Sequence, residues 1–248
     1  MKACIHVGVG GWDYDPWRTG FYPPGLPRTR QLEHAARHLG ATEVNATFYR
    51  LQKPETWEKW ADSVPHGFRF AVKASRFCVN RKDLRTAAEA MGRFAAQGFT
   101  RLGDGLGPIL WQLTPTKTFD ADEIRGFFAL LPAHQDGIAL RHAVEVRHES
   151  FRCREFVALA RAAGVAIAVC DSADFPMIAD LTADFVYARL RGTREDEPLG
   201  YPPAELDRWA EVARGWAKGE SPAGLDYVSD APAPGRARQG FPFVIRGG

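Results

Sequence analysis

The sequence predicts an α/β fold, a TIM-type (β/α)8 barrel with a short or missing last helix. Short apolar segments alternate with amphipathic segments along the 248 residues, and eight apolar segments can be counted. Strict alternation is typical of parallel strands joined by helical crossovers, and eight such strands close into a barrel. No linker or short repeat divides the chain. We therefore expect residues 1–248 to form a single barrel domain, with a doubly wound open sheet as the competing interpretation.

Eight segments have the length and composition of strands. The first runs into a glycine turn, and the third alternates polar and apolar residues cleanly. In chain order the predicted strands are 4–11, 42–49, 68–74, 107–113, 142–147, 165–171, 184–192 and 225–230. Beyond the last of them a Pro/Gly-rich loop is predicted at 229–240, and only GFPFVIRGG remains for a final helix.

Six segments between these strands have helical spacing and recognisable ends. Leu32, Ala35 and Leu39 recur at helical intervals before Gly40, which is a typical residue beyond a helix C-terminus. Pro54 followed by an acidic residue is typical of a helix start. The predicted helices are 29–40, 53–64, 83–98, 120–132, 153–164 and 203–219.

Composition excludes several classes of protein. The formal net charge is only +2, which does not indicate a nucleic-acid polycation, although nucleic acid stays open as a partner. No segment reaches the roughly 18 apolar residues of a membrane helix, and the N-terminus reads as a strand instead of a signal peptide. The cysteines form no paired motif; they are Cys4, Cys78, Cys153 and Cys170. We expect a cytoplasmic protein without a membrane, metal or cofactor requirement.

Polar side chains lie inside or directly after the apolar runs of seven predicted strands. The carboxyl ends of barrel strands share one face, where barrel enzymes hold their active sites. We expect these side chains to form a site there, an ion-pair ring that only closes the barrel being the alternative. Candidate catalytic residues are Glu145, Asp171 and Lys73; candidate ligand-binding residues are Trp12, Tyr14, Asn45, Tyr49, Gln112, Arg147, Arg189, Arg191 and Asp230.

Strand alternation assigns directions to several of these side chains. On the fifth strand Glu145 and Arg147 share one face, and the neighbouring valines share the other. The valines suit the helix layer, so the charged pair is predicted to point inward. The same alternation applies to Arg189 and Arg191 on the seventh strand. On the second strand it predicts one inward face made of Glu43, Asn45 and Thr47.

Several motifs together resemble one known family. They are GGWDYDPWRTGFYP, VNATFYRLQKPETWEKWADSVPHGFRFAVKASR, LGPILWQLTP, AVEVRHESF and DFVYARLRG. The chain is similar over about 8–237 to the YecE-like family, known as domain of unknown function 72. The resemblance implies a TIM-barrel-type fold. It implies no activity, because the family has none assigned.

The chain departs from the family pattern at four places. A serine is usual in the first glycine turn, where this chain reads GVGGW. A Thr-His pair usual after the third strand is Val79 and Asn80 here, and a usual His-Gly after the seventh strand is Arg191 and Gly192. The family ending before the last aspartate is replaced by YVSD, which keeps Asp230. Two family histidines are thus replaced, so this chain is interpreted as a divergent member.

The leading hypothesis is a protein that binds, or also acts on, a small anionic or phosphorylated ligand at the barrel mouth. Lysine and arginine would hold the anion, since guanidinium groups suit bidentate oxyanion recognition. Glu145 or Asp171 would be the general base, and His148 a proton donor or merely a surface residue.

Two alternatives belong to other classes. A divalent-metal hydrolase, resembling a phosphodiesterase or nuclease, would use carboxylates and a histidine as ligands. Its candidate ligands are Glu43, Glu145, Asp171, Asp230 and His148. A non-catalytic nucleotide or nucleic-acid binding protein would stack bases on Trp12, Tyr14 and Tyr49.

Overall fold

The computed structural model describes residues 4–197, 200–230 and 235–245. Its main sheet has nine strand segments in the spatial order β8-β7-β4-β3-β2-β1-β11-β10-β9, and every pairing in it is parallel. The strands are β1 Gly8–Val9, β2 Ala41–Val44, β3 Arg69–Lys73, β4 Leu106–Gln112, β5 His134–Gln135, β6 Ile138–Ala139, β7 His142–Glu145, β8 Ala166–Ile167, β9 Val169–Asp171, β10 Phe185–Leu190 and β11 Gln239–Val244.

The two edge segments of this sheet are halves of one strand. β8 and β9 are separated only by Ala168, whose amide donates to the carbonyl of Val144 over 2.8 Å. β8 pairs with β7, and β9 pairs with β10. The interrupted strand therefore joins both edges and closes an eight-stranded parallel barrel, which confirms the predicted fold class.

Helices cover the outside of the barrel. They are α1 Gln31–Ala36, α2 Ala46–Tyr49, α3 Pro54–Asp62, α4 Arg76–Val79, α5 Ala88–Ala95, α6 Ala121–Ala129, α7 Arg154–Ala163 and α8 Pro203–Lys218. All six predicted helices are present, the third as a 3-10 turn at Leu84–Ala87 that continues into α5. Residues 172–184 cross between β9 and β10 without a helix, and none follows β11 within the described residues. No helix in the described ranges is both long and apolar enough to cross a bilayer.

Buried clusters lie on both sides of the barrel strands. Inside the barrel, small alanines face large aromatic side chains, among them Ala71, Ala143, Tyr187 and Phe243. Outside it, Val144, Val146 and many aromatic residues pack between strands and helices. Burying apolar surface at about 25 cal/mol per Å² makes these clusters the main source of stability. The inward and outward alternation predicted for the fifth strand is thus confirmed for its valines.

The prediction for the eighth strand is wrong. Residues 225–230 form no strand; the eighth barrel strand is β11, which overlaps the C-terminal stretch GFPFVIRGG and contains Pro242. In the predicted loop at 229–240, residues 231–234 lie outside the described residues, and Gln239 and Gly240 already belong to β11.

The second strand also ends earlier than predicted. β2 stops at Val44, and Asn45 turns the chain into α2 with helical backbone angles. Thr47 therefore does not alternate with Glu43; its hydroxyl donates to the carbonyl oxygens of Val44 and Lys73 over 2.9 and 2.6 Å. The short helix α2 starts here because these buried hydrogen bonds fix the turn.

Candidate functional site

Four strands deliver buried polar side chains to the carboxyl end of the barrel. β2 carries Glu43, β3 ends at Lys73, β7 ends at Glu145 and β10 carries Arg189. Glu43 and Glu145 are fully buried, and Arg189 is 2% exposed. A charge in this position is stable only when it is paired and hydrogen-bonded. The partners of each side chain therefore decide what the site can do.

Arg189 is the centre of a hydrogen-bonded network across the barrel lumen. Its Nε and Nη2 donate to the two carboxylate oxygens of Glu43, each over 3.0 Å. Its Nη1 donates to Glu145 and, over 3.0 Å, to the side-chain oxygen of Gln112. Tyr187 donates its hydroxyl to Glu43 over 2.7 Å. The guanidinium group of Arg189 is thus occupied by protein partners.

Arg147 extends this network towards the rim of the barrel. Its Nε donates to Glu145 over 2.6 Å, and its Nη2 donates to the Gln112 oxygen over 2.8 Å. Gln112 therefore accepts from two arginines through one oxygen, which leaves its amide nitrogen as a donor for another group. The Arg147 side chain is 14% exposed, so its guanidinium lies between the buried network and the mouth.

The network fixes the protonation state of Glu145. Burial alone would raise the pKa of Glu145, but the charges and hydrogen bonds of Arg189 and Arg147 lower it to about 2. Burial opposes the charge of Arg189 as well, yet Glu145 and Glu43 raise its pKa above the ordinary value. Glu145 is therefore an ionised partner in ion pairs near neutral pH, which makes it a poor proton acceptor.

Lys73 differs from the other charged groups of the lumen. It is 9% exposed, and no carboxylate lies within 4.0 Å of its Nζ among the described residues. Its ammonium lies 4.4 Å from the centre of the Phe48 ring. Burial and, next, the charge of Arg189 lower its pKa to about 8, against the opposing effect of both glutamates. Lys73 is thus a desolvated cation without an ion-pair partner in the described chain.

Arg191 is the second cation of the mouth without a carboxylate partner in the described chain. It follows β10, and its buried Nε makes no hydrogen bond. Its guanidinium lies 5.5 Å from the Phe175 ring, and that of Arg147 lies 4.4 Å from the same ring. Phe175, in the loop after β9, therefore brings two arginines together at the rim.

Asp171 lies beside these arginines at the end of β9. Tyr201 donates its hydroxyl to Asp171 over 2.6 Å and accepts from the backbone amide of Gly192 over 2.7 Å. Burial and the hydrogen bond to Asp171 raise the pKa of Tyr201. Unlike the two glutamates, Asp171 is partly exposed and contacts no arginine side chain within 4.0 Å in the described residues. It is the better placed of the predicted bases to exchange a proton with a ligand.

The remaining predicted residues divide into two groups. Tyr14 and Asn45 lie together at the first turn, on the two sides of Gly10. A side chain at position 10 would meet both, because its Cβ atom would lie 3.1 Å from the Asn45 amide nitrogen and 3.7 Å from the Tyr14 hydroxyl. The Tyr14 hydroxyl donates to the Gly10 carbonyl, and burial followed by the charge of Glu43 raises its pKa. Glycine at position 10 keeps this corner of the mouth open.

Three predicted residues lie away from the mouth network. Trp12 packs edge-on against Trp60 in the helix layer. Tyr49 is 65% exposed on α2. Asp230 forms an exposed ion pair with Arg154 and follows no strand, because the eighth strand lies elsewhere.

The residues considered as metal ligands do not converge. His148 lies on the surface, where its Nδ1 is within 2.8 Å of the Ser150 hydroxyl. Within residues 4–197, 200–230 and 235–245, no group of three histidine, cysteine, aspartate or glutamate side chains is arranged to hold a metal ion.

Four aromatic residues of the site are not among the predicted site residues. Phe48 and Phe175 contact the cations, and Tyr187 and Tyr201 each bond a carboxylate. The alternation of β10 places Tyr187 on the same face as Arg189, so that signal was available. Phe175 and Tyr201 lie in loops, for which no periodic pattern exists.

The family model described as protein of unknown function DUF72 matches residues 6–238. The chain belongs to this family. The match covers nearly the whole barrel, including β2 to β10, and agrees with the resemblance carried by the sequence motifs.

Curated relatives of this DUF72 protein are UPF0759 proteins of bacteria. The chain is 35% identical over 71 residues to the UPF0759 protein YunF of Bacillus subtilis, which is 28% of this chain and 24% of YunF. It is 28% identical over 148 residues to the UPF0759 protein YecE of Escherichia coli K12, which is 59% of this chain and 50% of YecE. The chain thus spans half or less of the length of these relatives.

Solved DUF72 structures share the fold. A DUF72 family protein of Thermotoga maritima superposes with a TM-score of 0.73 at 19% identity, over 97% of this chain and 92% of that chain. One of Enterococcus faecalis superposes with a TM-score of 0.65 at 17% identity, over 96% and 88% of the two chains. At such identities the likeness supports the barrel fold and carries no activity.

Proposed function

We propose that this protein binds a small oxyanion, such as a phosphate or carboxylate group, at the carboxyl-end mouth of its barrel. The observation that carries the proposal is the desolvated Lys73 ammonium without a carboxylate within 4.0 Å in the described chain. A buried cation is costly unless an anion compensates it. A ligand anion would supply that compensation.

The charges of the mouth support this proposal. Two carboxylates, Glu43 and Glu145, are bonded to Arg189 and Arg147. The third carboxylate, Asp171, accepts from Tyr201 and has no arginine partner. Lys73 and Arg191 remain as cations without ion pairs in the described chain. Arginine offers a planar fork for an oxyanion and lysine a compact point charge, so the two side chains complement each other.

The same groups support proton transfer to a bound ligand. A general acid or base is most effective when its pKa is close to the working pH, and that of Lys73 is about 8. Asp171 offers a second, partly exposed proton acceptor. We therefore extend the proposal to a ligand that loses or gains a proton beside Lys73, with Glu145 holding the arginines in place.

Calorimetric titration with inorganic pyrophosphate tests binding. We expect saturable binding that Lys73→Met and Arg191→Gln each weaken by about tenfold or more. Lys59→Met is the matched control, because Lys59 is an exposed lysine on α3 and its replacement removes the same charge. Equal binding by Lys73→Met and the unmodified protein would refute the proposal.

A further inference from the structure

A cavity lies at the amino end of the barrel, opposite the mouth. It has a volume of about 600 Å³ and is bordered by the first residues of five strands. These strand-start residues are Arg69, Leu106, His142, Phe185 and Gln239. In TIM barrels this amino-end face normally serves stability, and the active site lies on the other face. A cavity of this size here is therefore not explained by the site at the mouth.

An inserted hairpin forms one wall of the cavity. β5 and β6 pair antiparallel in the connection between α6 and β7, and Ala133, Ala139 and Leu140 from this segment line the cavity. The turn is Asp136-Gly137 with positive φ at both positions, the combination favoured in two-residue hairpins. Thr100 anchors the turn through a 2.6 Å hydrogen bond to Asp136. The hairpin thus gives the cavity a fixed wall.

Arg141 directs a guanidinium group to this cavity. The group lies 4.9 Å from the Phe241 ring centre and 5.4 Å from that of Phe185. Its Nη1 donates to the side-chain oxygen of Gln239 over 2.6 Å. Burial lowers its pKa against the opposing charge of Asp184, and it forms no ion pair within 4.0 Å among the described residues. Most of its five N–H donors are therefore available.

Arg69 lies on the same cavity wall and lacks a carboxylate partner as well. Its side chain donates only to the backbone oxygen of Phe68, over 3.2 Å, among the contacts of the described chain. Its charge and that of Arg141 lower the pKa of the neighbouring His6, which burial has already lowered, to about 4. His6 is 6% exposed, stacks on Phe241, and its Nε2 has no hydrogen-bond partner. The neutral ring adds no third charge beside the two arginines.

An adjoining cavity of about 330 Å³ adds further arginines. It shares Gly164 and Asp184 with the 600 Å³ cavity described above. The charged residues that line the two cavities are Arg69, Arg141, Arg161, Arg236, Arg238, Asp104 and Asp184. Five cations thus face two carboxylates, and the buried Nε of Arg161 has no partner in the described part of the chain. This end of the barrel is positively charged.

We propose that the amino-end cavity is a second binding site, which takes an organic phosphate ester with an apolar body. The guanidinium groups of Arg69 and Arg141 would bind the phosphate, since arginine matches its geometry in bidentate contacts. The apolar body would pack against Leu106, Phe128 and Leu140, which line the same cavity. Ligand pockets combine such apolar walls with a few polar groups that fix orientation.

Titration calorimetry with 1-naphthyl phosphate tests this site. We expect saturable binding that Arg69→Gln and Arg141→Gln each weaken by about tenfold or more. Ala133→Trp should weaken it comparably, because an added ring at this exposed lining position fills the entrance without removing a charge. The uncharged 1-naphthol should bind at least tenfold more weakly.

Two control variants separate this site from the mouth. Arg125→Gln removes an exposed arginine whose only ion pair among the described residues is with Asp122, so binding should not change. Loss of 1-naphthyl phosphate binding in Lys73→Met, together with unchanged binding in Arg69→Gln and Arg141→Gln, would place the ligand at the mouth and contradict this second site. Absence of saturable binding, or unchanged binding in Arg69→Gln, Arg141→Gln and Ala133→Trp, would show that the arginines only close the barrel floor.

Discussion

Arg189 and Glu43 meet across the barrel lumen in a two-point contact, with both nitrogen-oxygen distances at 3.0 Å. Their strands, β10 and β2, are not neighbours, because β1 and β11 lie between them. Arg189 also contacts Glu145 on the other side of the lumen. The contact therefore ties three strands together and explains why a barrel strand carries a charge in its interior.

Breaking this contact should cost much more than breaking a surface ion pair. Glu43→Gln leaves the buried Arg189 without half of its anionic partners, so we expect a loss of about 3–5 kcal/mol in the free energy of unfolding. Glu211→Gln, which removes an exposed partner of Arg214, should cost about 1 kcal/mol or less. Urea unfolding followed by circular dichroism measures both values. Equal small losses would mean that the network contributes little to stability.

Lys73→Met should stabilise the unliganded protein. The lysine stays largely charged at pH 7 although its buried site disfavours the charge, since its pKa is lowered from 10.5 to about 8. Removing it should raise the free energy of unfolding at pH 7 by roughly 1–3 kcal/mol. Lys59→Met, at an exposed position, should change it by less than about 0.5 kcal/mol. If Lys73→Met instead lowered the free energy of unfolding, the buried charge of Lys73 would not be destabilising, and this explanation would be wrong.

The lowered pKa of Lys73 also predicts how the free energy of unfolding changes at alkaline pH. Between pH 8 and 10.5 the unfolded chain keeps the Lys73 proton and the folded protein loses it, so this group makes stability rise with pH. The advantage of Lys73→Met should therefore shrink over this interval and vanish above it. Unfolding of both proteins across a pH series measures the difference, and a constant difference would exclude a lowered pKa for Lys73.

Acid should remove the contribution of Glu145. Its pKa in the folded protein is lowered from 4.5 to about 2, so the stability it provides is complete above pH 4.5 and declines as pH falls towards 2. Glu145→Gln should be less stable near neutral pH and should lose less stability over this acid interval. Unfolding midpoints between pH 2 and 6 test this, and parallel curves for the two proteins would rule it out.

Tyr201 should matter through its hydroxyl group alone. Tyr201→Phe leaves Asp171 and the Gly192 amide without a shared partner, so we expect a loss of about 1–2 kcal/mol in the free energy of unfolding. It should also weaken pyrophosphate binding, because Gly192 follows the proposed anion-binding Arg191. Tyr49→Phe, at a 65% exposed position, is the control and should change neither quantity.

Much of the fold could be predicted from the sequence because periodicity reports burial. Six helices and seven of the eight barrel strands lie where the apolar spacing indicated. The eighth was assigned to the wrong segment, since LDYVSD resembles a strand and GFPFV contains a proline. Pro242 lies in a barrel strand because β11 pairs with β10 on one side and β1 on the other. These pairings join segments distant in sequence, so no local pattern indicates them.

The candidate site, like the fold, could be predicted only where local strand alternation determines it. Alternation along β7 and β10 correctly indicated that Glu145 and Arg189 point inward, as their lumen contacts show. It could not indicate which cations would be paired, because pairing depends on contacts between strands that are distant in sequence. Residues in turns and loops, such as Asn45 and Asp230, lie where the backbone leaves the strand pattern, so their positions required the structure.

The most direct test of anion binding at the mouth is the titration of Lys73 itself. The ¹³Cε signal of Lys73 in lysine-labelled protein can be assigned by its loss in Lys73→Met. We predict a midpoint near pH 8 in the free protein and a clear rise with saturating pyrophosphate, because an anion that binds the charged amine must raise its pKa. A midpoint at the ordinary value of 10.5, or one that pyrophosphate leaves unchanged, would contradict a role for Lys73 in binding an anion.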